Sequence, residues 1–456
     1  MIELKLNQKL IVDIKRLGIN GEGIAYYQKL AIFIDDAIPG ETVEIEVTDV
    51  NPKYSKGKVI RYIEKSKDRR EPFCKYYNEC GGCQLQHIDY QKTLEYKREL
   101  VFLSLQRYST VNPRSFEIKK TIGMENPLNY RNKSSLPVNF DGNKPYVGMY
   151  AKNSNKLIKI DSCPIQHESL NKINETACNM IQKNTLTCFN PKTKKGHVRY
   201  IVSRTSLANN YSQVSFILNE DSSKVKGLAQ DMLGKNNIIS VYKSVNNDLK
   251  SPEIFSKNIQ KLNGEDYIYE KLGKLNFALL PNAFFQLNPV QTVKLYDEVK
   301  KACKSTKDTV IWDCYCGVGT ISLWLSDKAK KVIGFDINKQ SISSAKENLA
   351  LNKNINNVEF YERDLTQTLP KSLIEGDNKP DIIVADPPRT GLNQLKDLIL
   401  TVLPKQIIYI SCNPSTLAKD IAVLSEKYNI KYIQPVDMFP YTAHVECVAL
   451  LSLKNE

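Results

Sequence analysis

No stretch of this chain stays apolar over the roughly 18 residues that a membrane span requires, and no amphipathic anchor stands in for one. The opening residues, Met1-Ile2-Glu3-Leu4-Lys5, lack the apolar core of a signal peptide. A cytoplasmic protein that does not engage membranes is therefore expected. Acid is in deficit, with 50 Asp and Glu against 64 Lys and Arg, for a formal charge of +14. That balance favours a polyanionic partner, nucleic acid ahead of a lipid surface. Eleven cysteines in a reducing compartment argue against a disulfide framework and leave ligation, catalysis or simple burial. The length, 456 residues, allows roughly two to four domains with real cores.

Residues from about Glu3 to Glu64 read as a small β module. The runs Lys9–Ile14, Ala31–Ile34, Thr42–Val47 and Lys58–Ile63 alternate with turn signals at Gly18, Asn20-Gly21-Glu22-Gly23 and Pro39-Gly40-Glu41. Short strands so spaced suggest a barrel of the oligonucleotide-binding kind. The Gly21-Glu22-Gly23-Ile24 and Pro39-Gly40-Glu41 turns resemble those of the TRAM domain, an RNA-binding barrel carried by RNA-modification enzymes. A generic barrel used for assembly is the plainer alternative. Basic residues then gather: Lys53, Lys56, Lys58, Arg61, Lys65, Lys67, Arg69 and Arg70, against Glu64 and Asp68. Beside such a barrel this run suits sequence-blind phosphate contact rather than a merely solvated linker.

Cys74, Cys80 and Cys83 follow with glycines at 81 and 82, and Cys163-Pro164 comes eighty residues after Cys83. Four soft thiolates suit a [4Fe–4S] cluster, the glycines letting the backbone wrap closely. Zinc is the runner-up, although the second closely spaced pair of cysteines that zinc sites favour is missing. Apolar periodicity predicts a helix over 91–106, and Glu117 to Asn276 reads as strand-rich sequence with turns. Within it Asn129-Tyr130-Arg131-Asn132-Lys133 joins an aromatic to two cations, making Arg131 and Lys133 candidate clamps on single-stranded RNA.

From about Lys307 strands and helices alternate. Strands are expected at Thr309–Asp313, Lys331–Asp336, Val358–Tyr361, Asp381–Asp386, Gln406–Ile410, Lys431–Val436 and Val445–Leu453, a doubly wound sheet of about seven. The turn Asp313-Cys314-Tyr315-Cys316-Gly317-Val318-Gly319-Thr320 lacks the third glycine of the dinucleotide fingerprint, Ser322 standing in its place. A pyrophosphate would want that glycine. S-adenosylmethionine, which has no phosphates, needs close backbone approach and acids such as Asp336, so the pattern tilts toward the methyl donor. Asp386-Pro387-Pro388 likewise lacks the aromatic residue with which amino-methyltransferases stack a flipped base; Arg389 stands there instead. An exocyclic amine becomes the lesser target and a ring carbon the greater. The run Gln406–Ile410 ends at Ser411-Cys412-Asn413-Pro414, which delivers a thiol to the end of a buried strand and the start of a helix. Such a position lowers a thiol's pKa and favours attack. Taken alone, Cys412 would read as one more inert buried cysteine.

Phe284-Phe285-Gln286-Leu287-Asn288-Pro289, Asp386-Pro387-Pro388-Arg389, Ser411-Cys412-Asn413-Pro414 and Asp437-Met438-Phe439-Pro440-Tyr441-Thr442-Ala443-His444-Val445-Glu446 together resemble the RNA 5-methyluridine methyltransferase family, in order and spacing. With the barrel and the cysteines the likeness covers essentially the whole chain. It implies a Rossmann-like α/β catalytic domain over 281–456, a central α+β iron–sulfur and RNA-binding domain over 66–280, and the barrel over 1–65. It implies Cys412 as the nucleophile, Glu446 as the base and Asp386 as an orienting acid. Gln286, Tyr315, Thr320, Asp336, Asp364 and Asp386 would contact S-adenosylmethionine, and Cys74, Cys80, Cys83 and Cys163 would hold the [4Fe–4S] cluster. Phe284 and Phe285 would hold the flipped uridine. The barrel and cysteine set point within the family to 23S ribosomal RNA, with tRNA uridine 54 and a non-catalytic iron–sulfur RNA binder as alternatives. A monomer is expected. Asp336 stands where the family more often carries Glu, Cys314 where Leu is common, and Lys419 where Arg is usual.

Overall fold

The computed structural model describes residues 4–367 and 369–454. Met1–Glu3, at the edge of the expected barrel, and the last two residues lie outside that set. The chain divides into two compact units: Met1–Glu125 with Pro388–Gly391 and Ser411–Ala449, and Asn126–Pro387 with Leu392–Ile410 and Leu450–Glu456. This differs from the expected division. The cysteine segment 74–83 joins the barrel rather than the central domain, and the segments around Cys412 and Glu446 leave the catalytic domain to join them.

In the first unit a six-stranded sheet runs in the order Lys9–Asp13, Thr42–Val50, Ser55–Glu64, Leu30–Ile34, Gly23–Tyr27, Arg16–Leu17. Alternation puts Val43, Ile45 and Val47 inward with Val12, Ile14, Ile32 and Ile34, while the intervening polar residues meet water. The expected four strands are present, and two short ones, Arg16–Leu17 and Gly23–Tyr27, are added. The predicted helix forms as Tyr90–Tyr108; Asp89 caps it by accepting from the backbone N–H groups of Gln91 and Lys92. Leu17 and Ile38 of the barrel form one apolar cluster with Leu85, Ile88 and Tyr96. A second helix, Pro414–Leu424, packs on Tyr90–Tyr108. The strand Tyr428–Val436 pairs in parallel with Glu117–Ile118.

Much of the basic run is spent on structure. Arg69 forks onto the buried Glu41 carboxylate at 2.5 and 2.8 Å, Arg61 pairs with Glu44 and Arg70 with Asp89. The Pro-Gly-Glu turn is thus an anchoring point for Arg69, which leaves the lysines of the run as the phosphate-facing candidates.

The second unit holds a mixed seven-stranded sheet in the order Leu157–Lys159, Pro145–Tyr150, Lys133–Phe140, Val198–Thr205, Ser212–Leu218, Ile238–Val245, Ile259–Gly264. Two helices pack on it, Glu168–Lys183 and Lys224–Met232. Five parallel strands form the doubly wound portion, ordered Val358–Glu362, Lys331–Asp336, Val310–Cys314, Ile382–Ala385, Gln406–Ser411. Counting on along the chain through Tyr428–Val436 and Glu446–Leu453 gives the expected seven. Chain order reverses between Val310–Cys314 and Ile382–Ala385, the switch point where open α/β sheets bind ligands.

Candidate active site

The donor side is built at that switch point within the second unit. Strand Val310–Cys314 runs into Tyr315 at φ 67°, Gly317 at 54° and Gly319 at 85°, all left-handed. A side chain at Gly319 would lie 2.6 Å from Phe360, so glycine there allows helix and sheet to close; at Gly317 it would meet nothing within 4 Å, leaving open space beside the turn. Asp336 braces the turn: its carboxylate accepts from Gly317 N at 3.0 Å and Asn338 N at 2.8 Å. The expected ribose acid therefore also shapes the loop. Thr320 opens the following helix, its hydroxyl 2.9 Å from that of Tyr296.

Two acids beside this turn are held far from their usual state. Burial pushes Asp313 up to about 7, with the charges of Asp386 and Asp336 adding to it, although Ser322 donates a hydrogen bond to it. Asp313 Oδ1 has no hydrogen-bond partner among the described residues. Asp386, at the end of strand Ile382–Ala385, is also pushed up to about 7, by desolvation alone, although its side chain is half-buried rather than enclosed. A cationic sulfonium ligand fits such a place, because it would restore both carboxylates to their charged form. Asp364 caps its own turn, accepting from Thr366 N and Oγ1 at 2.9 and 2.6 Å.

Gln286 is buried just ahead of helix Pro289–Ala302, which Asn288 caps. Its loop is held by three bonds: Lys133 Nζ to Pro281 O at 3.2 Å, Arg204 Nη2 to Ala283 O at 2.6 Å and Asn132 N to Leu287 O at 2.9 Å. Burial, then Arg204 and Arg131, pulls the Lys133 ammonium well below the lysine range. As a phosphate clamp Lys133 is thus corrected to a loop support, since its ammonium is committed to a carbonyl in a cationic setting. Arg131 donates from Nε to Lys133 O at 3.0 Å. Phe285 is also corrected: it is a core residue, 2% exposed and packed on Phe277, whereas Phe284 is 70% exposed. Arg204, buried on the strand beside Lys133, was not foreseen; its partner carbonyl lies 79 residues away.

Cys412 and Glu446 lie within the first unit. Strand Gln406–Ser411 hands Cys412 to the N-cap Asn413, whose side chain accepts from Ser415 N at 3.1 Å, with Pro414 at the first helical position. Gly391, at φ 86°, approaches this helix so closely that a Cβ would lie 2.3 Å from Thr416 Cγ2. The backbone carbonyl of Arg389 accepts from the Thr416 hydroxyl at 3.1 Å. Glu446, buried, opens the last strand. Next to it the Cys447 thiol is pushed well up, by burial first and then by Glu446 and Cys412. Arg389 donates to His444 Nδ1 at 2.8 Å. His444 keeps an exposed surface; desolvation on its packed side, then the Arg389 and Lys97 charges, hold its ring below the ordinary histidine value, at about 4, so it is neutral at pH 7.

The segment leading to Glu446 is tied to the helix Tyr90–Tyr108. Lys97, wholly buried, donates to Asp437 Oδ1 at 2.5 Å and to Phe439 O at 3.2 Å. Tyr90 donates to Asp437 Oδ2 at 2.9 Å while accepting from Met124 N. Neither residue has a local sequence signal; the partners are 340 positions apart.

The thiols of Cys74, Cys80, Cys83 and Cys163 are half-buried and form no disulfide, unlike the fully buried Cys178, Cys303, Cys314, Cys316 and Cys447. Cys80 Sγ accepts from Gly82 N at 3.4 Å, and its thiol is raised by burial and then by Cys74. Among the described residues no three His, Cys, Asp or Glu side chains are gathered as a ligand set. Four thiolates suit an iron–sulfur cluster by their chemistry. No helix is long and apolar enough to cross a membrane among the described residues.

A glycine turn at a sheet switch point, acids poised for a cation and a thiol at a helix start define a methyltransferase. A family model described as tRNA (uracil-5-)-methyltransferase matches residues 89–454, and a TRAM domain model matches residues 3–60. The chain belongs to the RNA (uracil-5-)-methyltransferase family, whose members act with S-adenosylmethionine. It is 43% identical over 455 residues to an uncharacterized RNA methyltransferase of Bacillus anthracis, covering 99% of this chain and 98% of that one. A Listeria monocytogenes relative of the same description is 41% identical over 453 residues, covering 98% of each. A crystal structure of Pyrococcus abyssi tRNA (uracil-54, C5)-methyltransferase with S-adenosyl-L-homocysteine aligns at a TM-score of 0.77 and 28% identity, covering 97% of this chain and 100% of that one.

Proposed function

We propose that this protein methylates C5 of a uridine in RNA, with 23S ribosomal RNA as substrate, through a covalent bond from Cys412 to C6. The observation that carries the reading is the placement of Cys412 directly ahead of the Asn413-capped helix Pro414–Leu424, with Glu446 buried at the start of the last strand. Uracil C5 is too weak a carbon nucleophile to be methylated unaided. The Cys412 thiolate adds to C6, the C5=C6 electron pair moves to C5, and C5 takes the methyl group as S-adenosylhomocysteine departs. Glu446 then accepts the C5 proton, the C–H electron pair restores C5=C6, and the thiolate leaves. Gln286, Tyr315, Asp336 and Asp386 bind the donor, Thr320 and Asp364 support them, and Asp386 also orients the base. Phe284 and Arg131 contact RNA.

The test is nucleoside mass spectrometry after incubation with S-adenosylmethionine and either RNA, together with adduct trapping on 5-fluorouridine RNA. Cys412→Ala should abolish both the 5-methyluridine and the adduct. Methyl transfer that survives this substitution refutes the mechanism. Transfer RNA is a second reading, favoured by the likeness to the Pyrococcus enzyme; methylation of tRNA but not 23S RNA would establish it. We also propose that Cys74, Cys80, Cys83 and Cys163 hold a [4Fe–4S] cluster in the cell. Broad visible absorption of anaerobically purified protein is expected, and a colourless zinc protein would overturn it.

A further inference from the structure

The cysteine segment and the segment carrying Glu446 are joined at Gln84. Gln84 follows Cys83 directly. Its amide nitrogen donates to Gly81 O at 2.9 Å, inside the Cys80-Gly81-Gly82-Cys83 turn. Its amide oxygen accepts from Ala443 N at 3.2 Å, three residues ahead of Glu446. The main chain reinforces the join, Gln84 N and Leu85 N donating to Tyr441 O at 3.0 and 2.9 Å. Tyr441 sits at φ 64°, a conformation that a non-glycine residue keeps only when its surroundings hold it. Phe73, just before Cys74, packs edge-on against the Tyr441 ring with centroids 4.9 Å apart. The barrel closes the third side: a Cβ on Gly21 would lie 2.9 Å from Gln84 Cβ and 3.6 Å from Ala443 Cβ.

A single primary amide therefore donates into the cysteine turn and accepts from the catalytic segment, which neither a carboxylate nor an apolar side chain can do. We propose that Gln84 is a positioning residue that transmits the geometry of the cysteine turn to Glu446, and so sets the rate at which the C5 proton is removed. This rests on Glu446 as the base in the reading above. Because the Cys412–C6 bond cannot break until that proton is taken, a misplaced Glu446 leaves methylated RNA attached to the enzyme. A fault in folding or RNA binding would instead lower adduct and turnover together.

The experiment uses the full chain, purified anaerobically, with unmodified RNA and S-adenosylmethionine. Gln84→Met should lower kcat by about tenfold, one hydrogen bond's worth, with KM for RNA unchanged. A covalent protein–RNA band should accumulate on denaturing gels, where the wild type shows little. Gln84→Glu keeps an acceptor for Ala443 N and should run closer to wild type than Gln84→Met. Should Gln84→Met fail to fold, Gln84→Asn, too short to span both partners, carries the same expectation. Wild-type kcat in Gln84→Met, or an adduct that falls in step with kcat, overturns the proposal. Absence of both 5-methyluridine and adduct with the wild-type protein overturns the uridine reading itself, which separates the two failures.

Discussion

Binding of S-adenosylmethionine should release a proton near neutral pH. Asp313 and Asp386 are each held at about 7 in the ligand-free fold, against about 3.9 for an unperturbed Asp. For Asp313 that difference is worth on the order of 4 kcal/mol, as a ceiling, in favour of the protonated form. The sign follows from proton counting. Between about pH 4 and 7 the folded state holds protons that the unfolded chain has lost. These acids therefore contribute stability that is full below pH ~4 and is lost as pH rises through about 7. A bound sulfonium cation reverses this by favouring the carboxylates. Because Asp386 raises Asp313 by charge, the two do not ionise together, and about one proton should leave per ligand bound.

If only the ionised site binds, affinity should weaken about tenfold between pH 8 and pH 6, following one group with a pKa near 7. Isothermal titration in buffers of differing ionisation enthalpy counts the proton directly. Asp386→Asn should bind weakly, with its pH dependence largely removed. A dissociation constant flat from pH 6 to 8, with no proton released by the wild type, would refute the assignment of these acids to the donor site. Uptake of a proton would refute the sign.

Lys97→Met leaves the buried Asp437 carboxylate with its partner gone and should cost about 3–5 kcal/mol in urea unfolding followed by circular dichroism. Adding Asp437→Leu should return most of that loss. Gly391→Ala, at φ 86° and with a Cβ 2.3 Å from Thr416, should cost on the order of 3 kcal/mol and lower adduct formation by Cys412. Arg389→Met should let His444 titrate above about 4 without reaching the ordinary histidine value, since burial is its larger cause; NMR titration of the ring reads this.

The parallel strands were legible because each is a short apolar run closed by a charged or small residue, as in Lys331–Asp336 and Gln406–Ser411. Their order alone places Tyr315, Asp336 and Asp386 at one end of the sheet. The central helices were less legible. Glu168–Lys183 buries Leu170, Ile173, Ala177, Cys178 and Ile181 at helical spacing, a pattern visible in the sequence but overshadowed by the strands on either side. The two phenylalanines illustrate a further limit. Neighbouring residues in irregular backbone can face opposite ways, and nothing in Phe284-Phe285 says which ring meets Phe277 in the core and which meets solvent.

The compact units depart from the linear division of the chain for a physical reason that also bears on the proposed chemistry. Linear reading assigns a segment to the elements beside it, but Asp437-Met438-Phe439-Pro440-Tyr441 takes its hydrogen bonds from Lys97, Tyr90, Gln84 and Leu85. A buried carboxylate answered by a lysine more than three hundred positions earlier leaves no periodic trace; it is a pairwise fact of the fold. Because Asp437 and Ala443 are both held by residues from 84 to 97, Glu446, the proposed base, has its reference frame in the helix and cysteine segment rather than in the strand that it opens. The cysteine segment can therefore matter to a reaction in which none of its atoms takes part.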